Sequence, residues 1–109
     1  MHIAALPFET TQWDAVERTT HAGATGTASW HTQRFGEIRV RFVEYSAGYV
    51  ADHWCSKGHA LMCLSGALIT ELADGRRFTL TPGMSYQVGD DAEAHRSSSP
   101  QGATLFIVD

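Results

Sequence analysis

His53, Cys55 and His59 are the residues of this sequence with the strongest claim to chemistry. They stand in the stretch Gly48-Tyr49-Val50-Ala51-Asp52-His53-Trp54-Cys55-Ser56-Lys57-Gly58-His59, at positions of one parity. On an extended strand that parity sends all three side chains to one face, so an imidazole, a thiolate and a second imidazole converge. His95, on a later segment that neighbours the first if the sheet closes, is the fourth candidate ligand. A nitrogen and sulfur donor set of this kind suits zinc, iron, nickel or copper (Zn, Fe, Ni or Cu) far better than calcium or magnesium. Four protein ligands around zinc make a closed structural site, whereas an ion that accepts five or six keeps a position for substrate or dioxygen.

The other polar residues carry weaker claims. Tyr49 and Tyr86 are possible pocket residues, each able to donate a proton, with packing and a hydroxyl at the rim as the alternative. Arg39, Arg41 and Arg96 would bind an acidic substrate if one pointed inward, but alternation places 39 and 41 on a polar face toward solvent or a second subunit. Asp52 should point away from His53 on a strand, so no Asp-His pair is expected. Cys63, inside an apolar run, reads as a small buried hydrophobe with no disulfide to Cys55. Ser97 to Ser99 read as a polar strand end and turn, and His2, His21 and His31 as solvent-facing. Gly23-Ala24-Thr25-Gly26 lacks the Lys and the strand-to-helix context of a phosphate loop.

The elements that must position these residues are strands. The chain has 109 residues, 43% hydrophobic and 18% charged, which is enough for one domain over 1–109 and one core. Ile38 to Tyr45 alternates with period two, with 38, 40 and 42 expected on the buried face. Ala60 to Leu72 is an apolar run broken at Ser65-Gly66, and Asp74-Gly75 then marks a hairpin into Arg76 to Leu80. Ser85 to Val88, Ala94 to Ser98 and Ala103 to Val108 follow, separated by glycine and proline turns. Many short strands at this spacing predict an all-β sandwich or barrel. Ahead of them, Thr11 to Asp14 resembles a capping box, with Asp in place of Glu or Gln, that opens a short helix over Trp13 to Arg18. His21 to Ser29 reads as a surface loop, so that residues 1–29 form an N-terminal arm and about 30–108 the strands.

Composition excludes several classes. The net charge is -4 and the basic residues are scattered, so no nucleic acid partner is expected. No segment approaches the roughly 20 apolar residues of a membrane span. The apolar Ile3 to Leu6 is cut by Pro7 and lacks a preceding cation, unlike a signal peptide. Two cysteines are too few for a secreted disulfide framework and predict a cytoplasmic protein.

Gly48, His53, Cys55, His59 and Gly66 resemble the first motif of the cupin superfamily, and Gly83 through His95 its second. Cys55 stands where the second His is usual, His59 where Glu is usual, and the second motif lacks its proline. Asp52-His53-Trp54-Cys55 is also similar to a small single-domain branch labelled DHCW-motif cupins, a label that names a signature and not a reaction. The resemblance covers roughly residues 35 to 108. It implies a cupin jelly-roll β-barrel, or double-stranded β-helix, of six to eight strands, with a divalent metal held inside by His53, Cys55, His59 and His95. It further implies a homodimer and a small-molecule ligand. The function expected is a metal-dependent dioxygenase, isomerase or lyase acting on a small polar chelating substrate. The alternatives are a non-catalytic module that senses a small molecule, metal or redox state, and a metal-free cupin of the epimerase kind using His53 and Tyr86.

Overall fold

Turn residues divide the computed structural model, which describes residue 3 and residues 5–109, into ten strands. These are β1 (Arg18–Ala22), β2 (Thr27–Phe35), β3 (Ile38–Tyr45), β4 (Tyr49–Val50), β5 (His59–Gly66), β6 (Leu68–Leu72), β7 (Arg77–Leu80), β8 (Ser85–Val88), β9 (His95–Ser99) and β10 (Ala103–Val108). All pairings are antiparallel. One sheet runs β1-β2-β3-β10-β5-β8 and the other β4-β9-β6-β7. The non-sequential neighbours, β10 between β3 and β5 and β9 between β4 and β6, make a jelly-roll of two sheets facing one core. The hairpin expected at Asp74-Gly75 joins β6 to β7, closed by Leu72 N–H donating to Arg76 O at 2.8 Å.

The core lies between the sheets. Leu68, Leu105, Val43 and Cys63 are its largest fully buried apolar side chains, each of the aliphatic ones contributing about 1.5–3 kcal/mol by leaving water. Cys63 is buried as expected, and both cysteines are free.

The inner face of the larger sheet is built from odd-numbered residues of β3, β5 and β10 and, through the register, even-numbered residues of β2 and β8 such as Trp30 and Tyr86. The register pairs Leu105 with Val43 and Cys63, and Ile107 with Arg41 and Leu61. Arg39 and Asp109 extend the β3–β10 ladder by exchanging backbone hydrogen bonds of 2.6 and 2.8 Å. This inner face is apolar at the Val43 and Leu105 end and charged at the Arg39, Arg41 and Asp109 end. The expected orientation of β3 is thereby reversed: Arg41 is buried and Val43 fully so, while Ile38, Val40 and Phe42 occupy the outer face, half-buried. That outer face is partly covered, with the His31 ring tilted against Phe42 and Trp13 edge-on to Phe106 of β10.

The N-terminal segment differs from expectation in two further ways. The helix shrinks to a single 3-10 turn, Trp13–Ala15, without a side-chain cap. The stretch His21 to Ser29, read as a surface loop, instead forms the end of β1, the turn and the start of β2, in a hairpin with Arg18 opposite His31. His31 is half-buried rather than solvent-facing, its Nδ1 2.8 Å from Val16 O; His21 is exposed, and His2 lies outside the described residues. Ser99 is buried too, donating to Ala67 O at 2.7 Å, so β9 is an internal strand to its last residue.

The corner from β5 to β6 depends on Gly66, which has a φ of 71° and no room for a Cβ against the Gly102 carbonyl. Gly66→Ala should therefore lower stability by about 2–4 kcal/mol. The measurement is a reduced urea midpoint at unchanged m-value.

Candidate metal centre

Cys55 and His95 meet because their backbones exchange both hydrogen bonds of an isolated antiparallel bridge, 2.8 and 2.9 Å long. Directly opposed residues project their side chains to the same side. His59, the first residue of β5, enters from the inner face of the larger sheet. The nitrogen and sulfur donors of Cys55, His59 and His95 lie within 4.8 Å of one another. The Nε2 atoms of His59 and His95 are 3.2 Å apart. Two imidazole nitrogens on one tetrahedral zinc stand about 3.3 Å apart, so the histidine pair already has the spacing a metal requires. A nitrogen to thiolate edge of such a site is about 3.5 Å, inside the 4.8 Å that bounds the three donors.

Both imidazoles are set for ligation through Nε2. His95 Nδ1 donates to Glu93 O at 2.9 Å, which fixes the tautomer and turns the Nε2 lone pair to the cluster. His59 Nδ1 is buried without a hydrogen-bond partner, and the nearest acid is Asp109 Oδ2 at 3.7 Å. With the proton on Nδ1, toward that carboxylate, Nε2 accepts the Tyr86 hydroxyl at 2.8 Å. Tyr86 is the diagonal neighbour of His59, since β5 pairs His59 with Val88 and Leu61 with Tyr86. Burial, reinforced by the His95 charge, pushes His59 down to about 4. At neutral pH His59 is thus uncharged, as a metal ligand must be.

Asp109 is the residue that sequence reasoning missed. Its carboxylate is fully buried and takes Arg39 Nε at 2.8 Å, Arg39 Nη2 at 2.9 Å and Arg41 Nη2 at 3.0 Å. Burial would raise its pKa, but the Arg39 hydrogen bonds and the Arg41 and Arg39 charges prevail and hold it below the usual range. The alternation Ala103, Leu105, Ile107, Asp109 was the available signal, because it continues the buried parity of β10 by one residue.

His53 lies apart from the three-residue cluster. Residues 51–58 form bends rather than a strand, Cys55 alone being bridged, so parity does not govern which way His53 points. Its side chain is 75% exposed and sits 2.6 Å from Asp52 Oδ1. The Asp52-His53 pair that strand geometry would forbid therefore forms, at the surface. The loop is tied to residues 89–91 by Gly58 N–H donating to Asp90 Oδ1 at 2.6 Å and Asp91 N–H donating to Ser56 O at 2.8 Å.

The cluster borders a cavity of about 310 Å³ lined by Tyr49, Tyr86, Arg39 and Arg41 among others, with His53 also on its wall. Tyr49 stacks on Tyr45 at 4.1 Å, and burial pushes its phenol up to about 12. Burial likewise raises Tyr86 well above the ordinary tyrosine range. A second cavity of about 210 Å³ lies between β7 and β8 and shares the Tyr86 and His95 side chains.

No protein-family model matches the sequence. No curated protein matches it either. Solved structures do match. An RmlC-like cupin from Shewanella frigidimarina aligns with a TM-score of 0.73 at 18% identity, over 94% of this chain and 90% of that one. An ectoine synthase from P. lautus aligns at 0.75 and 16% identity, over 93% and 76%. A sugar phosphate isomerase of the cupin superfamily from Silicibacter pomeroyi aligns at 0.71 and 16%, over 92% and 74%. This chain has the cupin fold.

In protein stripped of metal by a chelator, His59 makes stability depend on pH. Its folded pKa of about 4 lies below the ordinary value of 6.5. The contribution is therefore complete above pH 6.5 and is lost as the pH falls toward 4, a change of about 2–3 kcal/mol. Chemical denaturation between pH 4 and 7 should show that slope, and His59→Gln should flatten it.

Proposed function

We propose that this protein is a small metal-dependent enzyme of the isomerase, lyase or dioxygenase kind, acting on a small polar substrate. The observation that carries the proposal is the convergence of Cys55, His59 and His95 on one point beside a cavity, three protein donors among the described residues. Three ligands and an open position are the arrangement of catalytic rather than structural zinc sites. Cys55, His59 and His95 would hold a divalent zinc, iron, nickel or copper ion, which would supply Lewis acidity, or redox chemistry if it is redox-active. The protein's own groups do the rest. Glu93 O orients His95, and Asp109 faces the Nδ1 proton of His59. Tyr86 Oη, whose proton burial retains, lies against Nε2 of His59 and is placed as a hydrogen-bond donor or general acid. The similar structures include an isomerase and a synthase, which supports enzymatic chemistry in this fold.

Cys55 supports a second reading. A half-buried thiolate ligand is open to oxidation, and its loss would release the metal, as in a redox-sensing module. We also propose a cytoplasmic homodimer, motivated by the N-terminal segment in which Phe8 is 94% exposed. In that dimer the segment lies on the second copy, and deletion of residues 1–10 should convert dimer to monomer in sedimentation velocity. An unchanged sedimentation coefficient excludes that role.

Elemental analysis of untagged protein, purified without added metal, tests the principal reading. Wild type should carry about one equivalent of a transition metal. His59→Ala and His95→Ala should lose it, Cys55→Ser should hold less of it, and His53→Ala should keep it. Metal-free wild type, or retention by His59→Ala, rejects the site. Thiol titration before and after mild peroxide separates the enzyme from the sensor, because only the sensor releases metal reversibly as Cys55 oxidises.

A further inference from the structure

The cavity beside the metal donors has a charge that opposes that of the protein. The chain is acidic, at -4, yet four of its eight Lys and Arg residues, Arg39, Arg41, Lys57 and Arg96, line this one cavity. Among the described residues no Asp or Glu is on its wall. Asp109 lies behind it, fully buried, and one carboxylate serves two guanidinium groups.

The sharing is unequal. Arg39 engages both oxygens of Asp109 through Nε and Nη2, whereas Arg41 has a single bond through Nη2. Arg41 Nε is buried and unpartnered. The Arg41 guanidinium also lies over the Trp30 ring, 4.6 Å from its centroid, which holds its plane. A fixed guanidinium with spare donors on the wall of a small cavity matches a planar carboxylate.

We infer that Arg41 anchors the carboxylate of a short acid, so that the substrate class is a small hydroxy-dicarboxylate with one end at Arg41 and the other at the Cys55, His59 and His95 donors. The second end rests on the metal-dependent reading above, and the Arg41 end does not. The distance is short, because a single Asp109 oxygen stands 3.7 Å from His59 and 3.0 Å from Arg41. Lys57 and Arg96 add attraction on the same wall, although Arg96 also lies 3.5 Å from Glu71.

The test uses 2-hydroxyglutarate and its 5-amide, which differ only in the charge of the distal group, titrated calorimetrically into the purified protein with metal content measured on the same sample. The acid should bind about tenfold or more tightly than the amide. Arg41→Met should abolish that preference, and Arg41→Lys should retain part of it; circular dichroism confirms that each variant is folded. Because the acid and amide are compared on wild type, the result stands even if a variant does not fold. Equal affinities for the two probes, no binding of either, or a preference that survives in folded Arg41→Met would each overturn the inference. A metal-free protein that still prefers the acid upholds Arg41 and rejects the metal-dependent reading, whereas a metal-loaded protein without the preference does the reverse.

Discussion

The buried carboxylate of Asp109 is the constraint on which the inner face of the larger sheet depends. Two arginines on neighbouring positions of β3 face inward, and without a counter-charge each would carry a desolvation penalty of several kcal/mol. Asp109 reaches both because it continues β10 in register with Arg39. The same carboxylate stands beside His59. One negative charge thus holds the sheet end together, keeps the guanidinium groups in place and stands 3.7 Å from the outer nitrogen of a candidate ligand's imidazole. The apolar half of the face, around Val43 and Leu105, supplies the rigidity against which this charged half is held.

The division of labour within the candidate centre follows from which elements carry it. His59 and His95 begin two strands of opposing sheets, so their ring positions are set by the ladders that follow. Cys55 is fixed only by its bridge to His95 and by the ties from the loop to residues 89–91. Tyr86 owes its place to the β5–β8 register, and its hydroxyl reaches His59 across the strand pair. Backbone pairing therefore accounts for most of the geometry, and few of the contacts depend on long flexible side chains.

Much of this was legible in the sequence. The all-β class, the Asp74-Gly75 hairpin, the closing strand and the burial of Cys63 follow from alternation and turn chemistry. Of the four candidate ligands His53, Cys55, His59 and His95, the last three stand together, Cys55 through a bridge and not an extended strand, while His53 points outward from the 51–58 bends. The orientation of β3 was not legible, because each parity of Ile38-Arg39-Val40-Arg41-Phe42-Val43-Glu44-Tyr45 mixes apolar and charged residues. Pattern alone weighs two inward arginines as an error, while a partner carboxylate 68 residues away makes them stable. The β1–β2 hairpin was obscured by Gly, Ala and Thr, small residues that carry little periodic signal. Trp13 to Arg18 showed the opposite failure, a capping pattern whose hydrogen bond does not form.

The unequal anchoring of the three donors has a consequence for ion size. Two legs of the tripod are stiff, since moving either histidine means distorting a sheet, and the third stands on the 51–58 bends, outside any ladder, held by its bridge to His95 and by ties from Ala51, Ser56 and Gly58 to residues 90–97. At the proposed site an ion of larger or smaller radius would be accommodated by rotation of the Cys55 side chain, with the barrel left unstrained. A site with that mechanical character discriminates weakly by radius. The choice among metals at the proposed site would fall instead to the softness of its donors and to the supply of each ion in the cell.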